Sequence, residues 1–155
     1  MAVDRAAIGR ESAPVTLHID AGRLRFFAKA ISETDPIYTD LDAAKNAGHP
    51  NLPVPPTFLF GISLEVPDPF ESFTELGIDL GTVLHGSQRF TYHALAYAGD
   101  DLTMRTRIAD VYEKKSGLLE FLVQESTITN QDGTLIAVAE NTVVIRNRFD
   151  KQEQA

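Results

Sequence analysis

The sequence predicts an α+β fold in which an antiparallel sheet wraps around a long, buried central helix. Two observations predict it: the first half of the 155-residue chain has the apolar spacing of helices, and the second half alternates as strands do. A third is the segment 56–66, PTFLFGISLEV, which is apolar on nearly every side. A helix of that composition is normally buried all round, so the sheet is expected to cover it.

The first half predicts two helices ahead of that segment. Asp20 suits the N-cap of the first helix. Its apolar face is formed at positions i, i+3, i+4 and i+7 by Leu24, Phe27, Ala28 and Ile31. Pro36 is expected to end this helix, because a proline disfavours helical backbone in the residue before it. DLDAAKNAG at 40–48 then predicts a short helix that stops at Gly48.

The second half predicts at least four long strands. Their patterns occupy 82–95, 100–114, 117–129 and 134–146. KKSG at 114–117 and NQDG at 130–133 are hairpin turn signals, so the strands are expected to run as an antiparallel meander. A short strand, PVTLHI at 14–19, is expected to join the sheet at its start. Long edge strands invite pairing, and we therefore expect a dimer built by extending the sheet.

Composition narrows the classes of function. The chain is expected to form one domain over residues 1–155, with frayed polar ends at 1–12 and 148–155. A net charge of −8 argues against nucleic acid, whose binding requires neutralisation of phosphates by basic residues. There is no cysteine, and no two histidines have the spacing of metal ligands, so no metal is expected. No apolar run of membrane-spanning length and no secretory signal are present, so no membrane partner and a cytoplasmic location are expected.

Three segments carry a resemblance to a known family: SETDPIYTDLDAAKNAGH at 32–49, PVPPTFLFG at 53–61, and LHGSQRFTYHALAYAGDDLTMRTRI at 84–108. In these segments and in the order of its elements, the chain resembles the MaoC-like dehydratases and hydratases of the hot-dog fold, from about residue 13 to 147. It is most similar to their N-terminal-type domain and to fatty-acid-synthase-like dehydratase subunits. The third segment is the most specific, because a His-Gly-x-Gln stretch leads into a strand and Ala-Gly-Asp follows.

The resemblance implies an activity, and this sequence departs from the motif that carries out that activity in the family. The family hydrates trans-2-enoyl thioesters or dehydrates (3R)-hydroxyacyl thioesters of coenzyme A or acyl carrier protein, with no further cofactor. Its catalytic members carry an Asp and a His five residues apart, which act on one water. Here Glu33 stands at the position of the Asp and Tyr38 at that of the His. A tyrosine with an ordinary pKa near 10 replaces an imidazole poorly.

The resemblance also implies substrate-binding positions. These are Pro56, Thr57 and Phe58 at the start of the apolar helix, and His85, Gly86 and Gln88 at the start of a strand. Backbone N–H groups at a helix start can bind an oxygen, and in this family the thioester carbonyl is polarised near such an end. A glycine lets the backbone approach closely, and a glutamine offers both a donor and an acceptor.

Several alternatives stay open at this point. Glu33 and Asp35 also fit solvated acids of a polar loop, and Tyr38 fits a half-buried aromatic at the core edge. The chain can be the substrate-binding subunit of a homodimer, or of a heterodimer whose partner has the intact Asp/His motif. We favour this substrate-binding role, and the alternative is a non-catalytic acyl-CoA-binding module. A thioesterase that uses Glu65, at the end of the apolar helix, is the weakest of these hypotheses.

Overall fold

A computed structural model, which describes residues 3–147, contains five antiparallel strands in one sheet. The strands are β1 (Val15–His18), β2 (Val83–Tyr92), β3 (Asp101–Lys114), β4 (Leu119–Thr129) and β5 (Leu135–Arg146). Their order across the sheet is β1-β3-β4-β5-β2. The five predicted strands are therefore present, and β1 and β2 form the two edges of the sheet.

The order of the strands corrects the predicted meander. Strands β3, β4 and β5 do follow one another as hairpins, but β2 pairs with β5 rather than with β3. The connection 93–100 explains this, because two backbone hydrogen bonds tie it to a distant loop. The Val54 N–H donates to the Ala96 carbonyl over 2.8 Å, and the Ala98 N–H donates to the Leu52 carbonyl over 2.9 Å. The chain is thereby carried away from β2 and enters the sheet beside β1.

The α-helices are α1 (Ala21–Ala30), α2 (Leu41–Asn46) and α3 (Glu71–Glu75), of which only α3 was not expected. The side chain of Asp20 caps α1 by accepting hydrogen bonds from the N–H groups of Gly22 and Arg23, at 2.8 and 3.2 Å. Pro36 does not end this helix as predicted. The chain has already left helical backbone at Ser32, whose φ is 58°.

The central helix also differs from the prediction. Residues Pro56–Leu64 form a nine-residue 3-10 helix, with three residues per turn in place of 3.6. Phe58, Leu59 and Ile62 are buried, whereas Phe60 and Leu64 expose 36% and 48% of their surface. The segment is therefore neither long nor buried on every side. It has one face in the core and one apolar face open to solvent.

The apolar core is divided between the two ends of the concave sheet face. The 3-10 helix 56–64 and α1 cover one end, where Leu102, Met104 and Ile128 are buried with them. The N-terminal segment and α3 cover the other end, where Val3 and Phe73 pack on the sheet. Within residues 3–147, no helix is long and apolar enough to cross a membrane.

Residues 3–12 are held against the sheet by hydrogen bonds, although the sequence predicted a frayed segment over 1–12. The fully buried Val3 donates its N–H to Oε2 of Glu120 over 3.0 Å. Farther along, the N–H groups of Gly9 and Ser12 donate to carbonyl groups of β3, at 2.8 and 3.0 Å. The other predicted frayed segment, 148–155, lies outside the described residues.

Candidate functional site

The candidate site lies along β2, one of the two edge strands of the sheet, and a β-bulge in this strand shapes it. His85 pairs with Val143 of β5, and Gln88 pairs with Asn141, so the bulge absorbs one residue between them. Val143 and Asn141 are two apart and share the concave face, so their partners share it as well. His85 and Gln88 are three residues apart, and without the bulge they would face opposite sides.

Gly86 permits that bulge. A Cβ atom at this position would lie 2.8 Å from the carbonyl oxygen of Thr142 and 2.9 Å from Cγ2 of Val144. Both distances are shorter than real Cβ contacts, and the nearer atom belongs to the backbone of β5. Glycine is therefore required here by close packing of two strands, in agreement with the use expected of it from the sequence.

A pocket of about 450 Å³ opens beside the bulge. We call it the edge pocket; it is lined by Phe27, Thr57, Phe60, His85, Gly86, Ser87, Gln88 and Phe90. Four of the six residues proposed for substrate binding thus line one cavity. The other two do not: Phe58 lines a second pocket, and the exposed Pro56 only begins the 3-10 helix.

The start of the 3-10 helix faces the edge pocket through Thr57. Pro55 and Pro56 have no N–H, and no side chain caps this helix. The Phe58 N–H donates to the carbonyl of Pro55 over 3.0 Å. Thr57 is the first residue of this helix with an N–H and also lines the edge pocket, so its N–H is the candidate donor for a ligand oxygen.

Glu33 holds its own loop together. Its Oε1 accepts hydrogen bonds from the N–H groups of Thr34 and Asp35, at 2.8 and 2.9 Å. Asp35 also binds the backbone of this loop, because its Oδ1 accepts a hydrogen bond from the Ile37 N–H over 3.1 Å. Both carboxylates therefore stabilise the turn that follows α1. Neither lines the edge pocket or the second pocket.

Tyr38 lies half-buried at the end of the 3-10 turn Pro36–Tyr38. Burial raises the pKa of its hydroxyl above the ordinary value of 10.0, and the nearby Glu33 and Asp35 carboxylates raise it further. The phenol is therefore protonated at neutral pH. It can donate a hydrogen bond, but it does not exchange a proton readily in the way that an imidazole does.

The second pocket, of about 420 Å³, lies between α1 and the 3-10 helix 56–64. We call it the α1 pocket; it is lined by Leu17, Asp20, Gly22, Arg23, Phe26, Phe27, Phe58, Gly61 and Glu65. Both Arg23 and Glu65 line it, and they form an ion pair. The hydrogen bond that Arg23 donates to Glu65 is the main cause of a raised Arg23 pKa, so the guanidinium stays charged. Glu65 is thus engaged by a guanidinium rather than free to act as a base.

The sequence did not indicate four of the residues that line the edge pocket. These are Ser87 and three phenylalanines, Phe27, Phe60 and Phe90. Phe27 was assigned to the buried face of α1 and Phe60 to an all-buried helix. An apolar residue at a periodic position has the same signal whether it faces a core or a cavity, so periodicity alone could not separate them.

Comparison with known proteins identifies the family of this chain. A sequence model described as "FAS1-like, dehydratase domain region" matches residues 6–139. The chain belongs to this FAS1-like dehydratase family. A UPF0336 protein of Saccharopolyspora erythraea is 32% identical to it over 154 residues, which cover 99% of this chain and 97% of the relative.

Solved structures support the same family and confirm the predicted hot-dog fold. The (3R)-hydroxyacyl-ACP dehydratase complex HadBC of Mycobacterium tuberculosis, C-terminally truncated, superposes with a TM-score of 0.78 at 27% identity. The match covers 93% of this chain and 99% of the HadBC chain. A MaoC-like dehydratase from Rhodospirillum rubrum has a TM-score of 0.69 at 18% identity, with 92% and 94% covered, and shows the shared fold. The suspected MaoC-like resemblance is confirmed.

Proposed function

We propose that this chain is the substrate-binding subunit of a (3R)-hydroxyacyl-thioester dehydratase, which runs in reverse as an enoyl-thioester hydratase. A partner chain with the intact Asp/His motif would complete its active site. One observation carries the proposal: Oε1 of Glu33 is held by two N–H groups of its own loop, at 2.8 and 2.9 Å. A general base must reach the water that it activates, and Glu33 is turned toward its own backbone.

The edge pocket supports the binding half of the reaction. Its volume of about 450 Å³ lies within the usual range of ligand sites, and three phenylalanines suit an acyl chain. In hydration, the oxygen of water adds to C3 of the enoyl thioester and a proton adds to C2. Negative charge develops on the thioester oxygen meanwhile, and the Thr57 N–H and the Gln88 amide are the donors in this pocket that would stabilise it.

The open edge of the sheet supports a partner chain. Nine of the ten residues of β2 pair with β5 on one side, and no strand within residues 3–147 lies on the opposite side. Leu84 and Tyr92 on this strand expose 52% and 48% of their surface. A strand of a second chain would continue the sheet and bring its own loops to the edge pocket. A homodimer would bring only a second copy of the Glu33–Tyr38 loop, so we favour a heterodimer, as in the HadBC complex.

Hydration of crotonyl-CoA tests this proposal. The purified chain is assayed alone and after co-expression with a homologous chain that has the Asp/His motif. We expect no turnover by the chain alone and turnover by the pair. Hydration by the lone chain that is lost in Glu33→Gln would overturn the proposal.

The hydrogen bonds that hold Glu33 to its own loop also favour a second candidate function, a module that binds acyl thioesters without catalysing their hydration. This function predicts tight binding of acyl-CoA but no hydration with any partner that carries the motif. A thioesterase is disfavoured because Arg23 engages Glu65. Release of free thiol from acyl-CoA would distinguish a thioesterase from both candidates.

A further inference from the structure

Phe27 forms a wall that the two pockets share. It lines both the edge pocket and the α1 pocket. It packs edge-to-face against Phe58, with ring centroids 5.3 Å apart and an interplanar angle of 89°. The two cavities, of about 450 and 420 Å³, therefore have one side chain of α1 in common.

We propose that the α1 pocket is the distal compartment of the acyl site, and that Phe27 sets the length of acyl chain that the subunit accepts. This inference rests on the proposed function and assigns the substrate class within it. With the ring as it stands, the edge pocket holds short acyl groups. When the ring rotates about its side-chain torsions, the two compartments join and admit the end of a long acyl chain.

The lining of the α1 pocket suits the end of an alkyl chain. Leu17, Phe26, Phe27 and Phe58 contribute apolar side chains to it, and the Arg23–Glu65 ion pair also lines it. A methyl terminus makes no favourable polar interaction with an ion pair, so the acyl chain would extend along the apolar surface. The polar headgroup of the thioester would stay in the edge pocket, beside Thr57 and Gln88.

Gly61 keeps the α1 pocket open. It is a glycine within the bulky run PTFLFGISL, and a Cβ atom added to it would meet nothing within 4 Å. Its φ does not lie in the left-handed region, so the backbone does not require glycine here. A larger side chain at Gly61 would therefore fill the pocket without backbone strain, which makes this position a selective probe of the compartment.

The test measures how affinity depends on acyl length. Butyryl-, octanoyl- and dodecanoyl-CoA are titrated calorimetrically against the full-length chain and its variants. Each methylene that the pockets bury should raise affinity about fourfold. We expect Phe27→Ala to raise affinity for dodecanoyl-CoA at least about tenfold relative to butyryl-CoA, because several more methylenes become buried. Gly61→Leu added to Phe27→Ala should abolish that gain and leave butyryl-CoA unchanged.

A substitution outside both pockets serves as the control for the added side chain. Ala30→Leu adds the same side chain to an exposed position of α1 that lines neither pocket, and should change no affinity. Should Phe27→Ala not fold, Phe27→Leu replaces it, with the same order of affinities expected. The inference is overturned if Phe27→Ala changes all three affinities equally, or if Gly61→Leu does not affect dodecanoyl-CoA. Failure of every acyl-CoA to bind the wild-type chain would instead overturn the proposed function on which the inference rests.

Discussion

His85 and Gln88 lie on the same face of β2 although they are three residues apart, because the bulge at Gly86 takes up one residue between them. An unbroken strand would send one of them to the convex face. The bulge therefore aims both side chains into one cavity, and its dependence on glycine can be tested directly.

Gly86→Ala should lower the free energy of unfolding by about 1–3 kcal/mol, the usual cost of overpacking a tight site. The added methyl would meet the Thr142 carbonyl oxygen and Val144, both at less than 3 Å. Urea denaturation measures the change. Gly61→Ala is the matched control, because its methyl meets open space, and it should stay within about 0.5 kcal/mol of wild type. Equal stability of the two variants would show that the bulge tolerates a side chain.

Glu33 variants separate a structural role from a catalytic one. Glu33→Ala removes both hydrogen bonds from the N–H groups of Thr34 and Asp35, and should cost about 1 kcal/mol of stability. Glu33→Gln keeps an acceptor oxygen at the same position and should retain most of that stability. In the reconstituted complex both variants should hydrate crotonyl-CoA at rates near wild type. Loss of hydration in Glu33→Gln with unchanged stability would assign the carboxylate to the chemistry.

Tyr38 should make stability fall at alkaline pH. Its folded-state pKa is raised above 10.0, so the folded state favours the protonated phenol. The resulting stabilisation is fully present below the unfolded-state pKa of about 10 and is lost as pH rises through the higher folded-state value. Free energies of unfolding measured by urea from neutral to about pH 11 should therefore decline less steeply at the alkaline end for Tyr38→Phe. Identical slopes in the two proteins would contradict the shift.

The buried Glu120 should be necessary for docking of the N-terminal segment. Its Oε2 accepts the Val3 N–H over 3.0 Å, and its Oε1 accepts from Nδ2 of Asn147 over 2.8 Å. Glu120→Leu leaves these donors without this acceptor and should cost about 1–3 kcal/mol. It should also speed proteolysis of the N-terminal segment. Glu113→Leu, at the exposed position directly opposite on β3, should change stability by about 0.5 kcal/mol or less and leave proteolysis unaltered.

The sequence predicted what depends on local chemistry. The Asp20 cap, the short helix before Gly48, the hairpin turns and all five strands follow from neighbouring residues, and the structure confirms them. The pairing of β2 with β5 depends on hydrogen bonds between 93–100 and the loop at 52–54, which no local pattern encodes. The 3-10 form of 56–64 was missed for a related reason, because apolar content alone does not distinguish three residues per turn from 3.6.

At the site, the family motifs indicated residues, and the structure shows their surroundings. Thr57, His85 and Gln88 come from two segments that the motifs had marked, and they meet in the edge pocket. The engagement of Glu33 by its own loop could not be read from the sequence, because it depends on how the chain turns after Ser32. The shared wall at Phe27 required the packing of α1 beside the 3-10 helix.

The hydrogen bonds of the Glu120 carboxylate also bear on how the chain connectivity of this protein can be changed. Val3 and Asn147, at the two ends of the described residues, bond to the same side chain and therefore lie close together. Neighbouring ends of this kind tolerate circular permutation and in-frame fusion, since a short tether can join them without disturbing the core. New ends could be cut at the exposed hairpin tip 131–133. The chain is thus suited to covalent linkage with a second hot-dog domain in one polypeptide.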